Sequence, residues 1–340
     1  MRSRNFCAVL TAGALAFGAA ACGDDEESST GTASGGAATE TPAEGGGTDF
    51  SKITGSIRVD GSSTVQPLAE AAAELLSEEG STLNATVGGA GTGDGFEKFC
   101  RGELDISDAS RGIELDEFEA CAKGGITPVE VQVGIDGLSV VVNQGLEFPE
   151  NCITTANLKK LLEPKSKIKN YSELGAGFPD APVSFFTPGT ESGTYDYFTE
   201  AVLETDAEQR TDDVQTSADD NQIVTGISGS EGALGYVGYA FADQNKDKLK
   251  TVAVDNGDGC VAPSVETIAD NSYAPLSRPL FMYPSVESIK KPAVKGFLDF
   301  INENNKEVVE AADYIPLTDE LKTKAKANID GATPAEKPAK

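Results

Sequence analysis

Three times along this chain a short strand-like run leads into a turn of Gly, Ser and Thr, and each turn opens a helix-like run. The turns are Gly61-Ser-Ser-Thr64, Gly88-Gly-Ala-Gly-Thr-Gly-Asp-Gly95 and Gly189-Thr-Glu-Ser-Gly-Thr194. Residues 56–60 alternate as a half-buried strand before the first turn. After it Val65, Leu68, Ala69, Ala72, Leu75 and Leu76 recur at helical spacing, and Pro67 suits a first helical turn. Residues 83–87 precede the second turn, and Phe96 and Phe99 follow it on a short helix. Residues 183–186 precede the third, and Tyr195, Phe198, Val202 and Leu203 follow. Further strands are expected at 105–110, 129–133, 138–143, 232–239 and 280–283. Helices are expected at 115–121, 154–162, 294–302 and 321–327. Strands alternating with helices predict an α/β protein with a mostly parallel sheet. In such sheets ligands sit off the carboxyl ends of the strands, where all three turns lie.

The turns share one chemistry. A helix start leaves unpaired N–H groups and about half a positive charge. Ser and Thr add hydroxyl donors, and Gly lets the backbone approach closely. Three such ends brought together would surround a small oxyanion with little formal charge. Each turn alone is more often a simple helix cap, and the set of three is the stronger signal. None has the spacing of a nucleotide P-loop, and residues 91–96 make no dinucleotide fingerprint.

The rest of the 340-residue chain sets bounds. Residues 1–21 read as an export signal, with Arg2 and Arg4 before an apolar, small-residue run. Ala19-Ala-Ala-Cys22-Gly23 resembles a bacterial lipobox, which makes Cys22 the expected lipid-anchored N-terminus of an exported protein on the outer face of the cell membrane. Residues 22–52 read as a disordered tether with a span of about 30 Å, and residues 331–340 as an unstructured tail. The net charge of −28 speaks against nucleic acid as a partner. The chain has no histidine, the commonest general base and metal ligand; no metal, cofactor or catalytic residue is expected. Cys100, Cys121, Cys152 and Cys260 remain after the signal and anchor cysteines, and an exported chain should pair them. Of three connectivities we favour Cys100–Cys121 with Cys152–Cys260, because the first pair flanks a compact segment.

Four stretches carry a family resemblance: Asp60-Gly-Ser-Ser-Thr-Val-Gln-Pro-Leu68, residues 91–111, Pro188-Gly-Thr-Glu-Ser-Gly-Thr-Tyr-Asp-Tyr-Phe198 and Gly232-Ala-Leu-Gly-Tyr-Val-Gly-Tyr-Ala-Phe241. They resemble PstS, the substrate-binding protein of bacterial phosphate ABC transporters, and its SphX-like branch in particular. The resemblance implies a two-lobed periplasmic-binding-protein fold of type II, with the ligand in the interlobe cleft. It divides the body into 53–140 with 256–330 as one lobe and 141–255 as the other. It implies inorganic phosphate as ligand and a membrane permease and ATPase as partners. By motif, Ser63, Thr64 and Val65 match the first phosphate-contacting turn, and Ser192, Gly193 and Thr194 the turn from the other lobe. Gly91 and Thr92 of the second turn complete the donor set.

Three positions depart from the pattern. Ala90 stands where many members have a Ser, although Ala90, Gly91 and Thr92 still have N–H groups to offer. Pro188 stands where some carry an Arg. Arg111 follows Ala109-Ser110 where well-known members carry an Asp. An Asp acceptor would let a site demand a protonated oxyanion, so its replacement leaves sulfate or arsenate open as alternative ligands. Arg111 is expected to supply the positive charge instead, or else to serve as a structural ion-pair partner. Asp94, Asp108 and Asp136 are candidate replacement acceptors, and Arg278 a hinge residue. A serine hydrolase using Ser63 or Ser192 is disfavoured, because neither lies in a Gly-x-Ser-x-Gly elbow. An exported sensor with no transport role is a further alternative.

Overall fold

The structure is a computed structural model that describes residues 48–190, 192–204 and 208–339. The signal segment, Cys22 and the tether up to residue 47 lie outside the described residues. The strands are β1 (Thr54–Gly61), β2 (Thr82–Val87), β3 (Ile106–Ala109), β4 (Val131–Asn143), β5 (Cys152–Thr154), β6 (Ser184–Thr187), β7 (Val214–Thr216), β8 (Ala233–Gly238), β9 (Leu249–Asp255), β10 (Cys260–Val261) and β11 (Ser277–Pro284). The helices are α1 (Gln66–Glu78), α2 (Thr92–Cys100), α3 (Leu115–Lys123), α4 (Thr155–Leu162), α5 (Gly193–Phe198), α6 (Asp220–Gly229), α7 (Tyr239–Gln244), α8 (Val265–Ala269), α9 (Pro292–Glu303), α10 (Asn305–Ala311) and α11 (Asp319–Gly331).

The strand order is β2-β1-β3-β11-β4-β8-β6-β7, with β9 on β4 and both β5 and β10 on β9. The pairing is mixed rather than mostly parallel. Within each half the strand–turn–helix units pair in parallel, β1 with β2 and β3, and β6 with β7 and β8. The long strands β4 and β11 run between the halves and pair antiparallel with each other and with β3 and β8.

β4 explains the two-lobed shape. Its first part pairs with β11 as far as Gly137↔Ser277, and its second part pairs with β8 from Leu138↔Gly238. The sequence suggested two strands broken at Gly134–Gly137, but the strand continues through both glycines. They are packing sites: a Cβ on Gly137 would stand 2.7 Å from Ile268, and one on Gly134 3.3 Å from Leu68. Glycine here admits close neighbours without ending the strand.

Both ends of the body differ from expectation. Phe50–Lys52 form a short 3-10 turn, and the Phe50 ring packs edge-on against Phe300 at 5.0 Å. The packed body thus begins before residue 53. Past α11, Pro334 bridges to Val129 and the Ala335 N–H donates to Pro128 O, so the tail is docked rather than unstructured. Ala335 also packs on the apolar cluster of Phe96, Phe99 and Tyr283, and this burial anchors it. Both expected disulfides are present, Cys100–Cys121 and Cys152–Cys260. Among the described residues no helix is long and apolar enough to cross a membrane.

Candidate anion-binding cleft

The first turn is held from both sides. Gly61 has φ +143°, and a Cβ on it would sit 2.2 Å from Asp108 O. Only glycine lets β1 and β3 close this tightly. Ser62 N–H donates to Asp108 O, and Ser62 O accepts from Val65 and Gln66 at the start of α1. Tyr314 donates its hydroxyl to Thr64 O at 2.8 Å. These contacts leave Ser63 exposed and turn Thr64 toward a cavity of about 530 Å³. Val65 does not reach that cavity: its side chain is fully in the core and its N–H is bonded to Ser62 O.

The second turn contributes Gly91, Thr92 and Gly93 to the same wall. Its donors are fewer than the sequence suggested. Ala90 N–H is taken by Asp60 Oδ1 at 3.1 Å, and Gly91 N–H by Gly61 O at 2.7 Å. Burial works to raise the pKa of Asp60, but bonds from Lys98, Ala90 and Gly61 outweigh it and hold the carboxylate below its usual range. Thr92 remains, at the open start of α2, with its hydroxyl 3.3 Å from that of Ser110.

The third turn comes from the opposite lobe. Ser192 caps α5, accepting from Thr194 N–H at 3.2 Å. A Cβ on Gly193 would stand 3.5 Å from Thr64 Oγ1, so the first and third turns meet. Ser192, Gly193 and Thr194 do not line the large cavity themselves. Their helix lines it through Asp196 and Tyr197, continued by Glu200 and Ala201.

Two arginines line the cavity. Arg111 is chelated by Glu117, with Nη1 and Nη2 each 2.8 Å from a carboxylate oxygen, and Nε lies 3.2 Å from Glu114. Arg278 was read as a hinge residue only, but it lines the cavity. Its Nη2 donates to Thr64 Oγ1 at 2.8 Å and lies 3.1 Å from Asp136 Oδ2, and the guanidinium stacks over Tyr197. A signal for it was present: Arg278 and Asp136 are lone charges in buried strand runs, and a buried charge requires a partner.

Of the three candidate acceptors, Asp136 is engaged by Arg278. Asp108 is completely buried with neither carboxylate oxygen bonded, and burial, with Asp60 adding, pushes its pKa well up. Asp94 is exposed and is not part of the cavity wall. The carboxylates that do line the cavity, Asp196 and Glu200, were missed. Burial raises the pKa of Asp196; Arg278 opposes that and Glu200 adds to it.

A cavity with hydroxyl and N–H donors from the first two turns, with the third turn adjoining at Gly193 and Arg278 in its wall, suits a small anion. The PBP superfamily domain matches residues 31–305. The chain belongs to the PBP superfamily. Within it, the chain is 42% identical over 264 residues to the protein SphX of Synechococcus elongatus, covering 77% of each chain. It is 35% identical over 274 residues to the phosphate-binding protein PstS of Staphylococcus epidermidis, covering 80% of this chain and 82% of that one. It therefore belongs to the SphX and PstS family. Among solved structures, a possible phosphate binding protein from Planctomyces limnophilus is 41% identical, covers 82% of this chain and 99% of its own, and superposes with a TM-score of 0.77. The type II periplasmic-binding-protein fold and its interlobe cleft are thus those of binding proteins, not of enzymes.

Proposed function

We propose that this protein captures inorganic phosphate in the cleft and delivers it to the permease of an ABC transporter. Export by the signal at residues 1–21 and a lipid anchor at Cys22 would hold it on the outer face of the membrane. The observation that carries the reading is the meeting of the first and third turns at Thr64 and Gly193, with Arg278 bonded to Thr64. An anion there would touch donors from both lobes and favour their closed arrangement. Ser63, Thr64, Thr92, Ser192 and Gly193 supply uncharged donors, and Arg278 the positive charge. Gly91 helps shape the wall, and Thr194 and Val65 hold their turns in place. Arg111 sits on the rim, already neutralised by Glu117.

The strongly acidic chain is no obstacle at physiological salt, where charges beyond about 8 Å are screened. Local donors and a partly buried arginine decide the affinity. The named phosphate-binding relatives support phosphate as the ligand. Titration calorimetry with inorganic phosphate tests this. The native protein should bind with one site per chain, and Ser63→Ala and Ser192→Ala should each weaken binding. Absence of phosphate binding by the native protein would overturn the reading.

A further inference from the structure

We propose that Asn256 is a site of spontaneous deamidation, where the turn between β9 and β10 converts its own amide to a carboxylate through a cyclic imide. The inference stands apart from the phosphate reading and needs no ligand.

The turn runs Asp255-Asn-Gly-Asp-Gly-Cys260 and joins the antiparallel pair of β9 and β10, in which Asp255 faces Cys260. Asn256-Gly257 is the single Asn-Gly step of the chain, and both residues are exposed to water. Glycine matters here for its missing Cβ, which would otherwise crowd the nitrogen that precedes it. Gly257 holds φ +109°, with open space where a Cβ would stand. That nitrogen is the nucleophile and Asn256 Cγ the electrophile. The two are tethered through one residue, so ring closure carries no cost of encounter.

Two neighbours suit the step. Asp255 Oδ1 accepts the Gly257 N–H at 2.7 Å, together with that of Gly259 at 3.0 Å. A carboxylate on the attacking N–H is placed to take its proton as the new N–Cγ bond forms. Thr155, the first residue of α4, donates its hydroxyl to Asn256 Oδ1 at 3.2 Å. There it polarises the amide carbonyl and stabilises the oxygen on which negative charge develops. The Cγ–Nδ2 bond then breaks, and Nδ2 leaves as ammonia with the proton that the Gly257 nitrogen gave up. Water adds across either imide C–N bond and leaves aspartate or isoaspartate at 256. Water is the only reactant consumed, and nothing is oxidised or reduced.

The product alters the turn. A carboxylate at 256 stands beside the like charges of Asp255 and Asp258. The isoaspartate form also adds a methylene to a backbone whose ends are fixed by strand pairing and by the Cys152–Cys260 bridge. None of the residues 255–260 lines the anion cavity, so phosphate binding should be unaltered.

The test incubates the full chain at neutral pH, folded and in urea, and follows Asn256 by peptide mass mapping and isoaspartyl methyltransferase labelling. Folded protein should gain one dalton at Asn256 at least as fast as the unfolded chain does. Asn271, followed by serine in the same tryptic peptide, should stay unchanged. Thr155→Val and Asp255→Ser should each slow the gain several-fold in the folded state and leave the rate in urea as it was. Thermal melts accompany both variants, and because they lie on different elements, the loss of one fold leaves the other to decide. A folded chain that keeps its Asn256 amide, or loses it more slowly than the chain in urea, would overturn the proposal. So would folded variants that convert at the native rate.

Discussion

The guanidinium carbon of Arg278 lies 3.6 Å from the centroid of the Tyr197 ring. Arg278 comes from β11, beside the first turn, and Tyr197 from α5, which follows the third. Tyr197 also donates its hydroxyl to Pro275 O at 2.8 Å, two residues before β11. The helix after the third turn and the strand beside the first turn thus touch through a cation–π stack and a hydrogen bond in the wall of the cavity.

Removing that arginine should cost both stability and binding. Arg278→Ala leaves Asp136 buried without its partner, a change worth about 3–5 kcal/mol. Urea denaturation should show this, and adding Asp136→Asn should recover part of the loss. Arg278→Lys keeps the charge but not the flat stack, and should still weaken phosphate binding in calorimetry.

Arg111 offers a contrast. Its charge is already shared between Glu117 and Glu114. Arg111→Ala should weaken phosphate binding less than Arg278→Ala does, while releasing the start of α3. Amide exchange across 114–118 should quicken in the variant. An affinity loss as large as that of Arg278→Ala would place Arg111 on the ligand itself.

Asp108 sets a pH dependence. Burial, with Asp60 adding to it, raises the pKa of Asp108 well above its ordinary 3.8. The folded protein keeps a proton that the unfolded chain gives up near that value. This stabilising term is full below the unfolded pKa and is lost as pH climbs toward the folded one. Asp108→Asn removes the penalty. The variant should be more stable than the native protein at pH 8, and the gap should shrink toward pH 4, as read from urea midpoints.

The Cys152–Cys260 bridge spans 108 residues. Long loops lose much unfolded-state freedom when closed, so Cys152→Ser with Cys260→Ser should lower stability by about 3–5 kcal/mol. Phosphate affinity should change little, because neither cysteine lines the cavity.

The strand–turn–helix units were legible because hydrophobic period and turn chemistry agree there. β1 with α1 and β6 with α5 fall where the alternation and the helical spacing put them. β4 was misread because a glycine inside a strand looks like a break unless its neighbour is known; Ile268, which fills the space beside Gly137, is far away in sequence. β7 and α6 were passed over, since Val214–Thr216 is only three residues long and α6 carries polar residues through much of its length. At the site, donors could be read from residue type, but which donors are free could not. Ala90 and Gly91 lose theirs to Asp60 and Gly61, contacts made only when β1 and the second turn come together. Asp196 and Glu200 drew no reading from the sequence, because only the fold brings them to the cavity wall.

The unbroken course of β4 makes its midpoint a gauge. Gly137 pairs with β11 and the next residue, Leu138, with β8, so the change of partner falls between two adjacent residues of one strand. If binding draws the two halves together, the change would reach Gly137 and Leu138, which are not part of the cavity wall. Amide signals from Gly137 and Leu138 would then follow filling and emptying without a label on the ligand, which makes this crossing a natural place to look for a phosphate reporter.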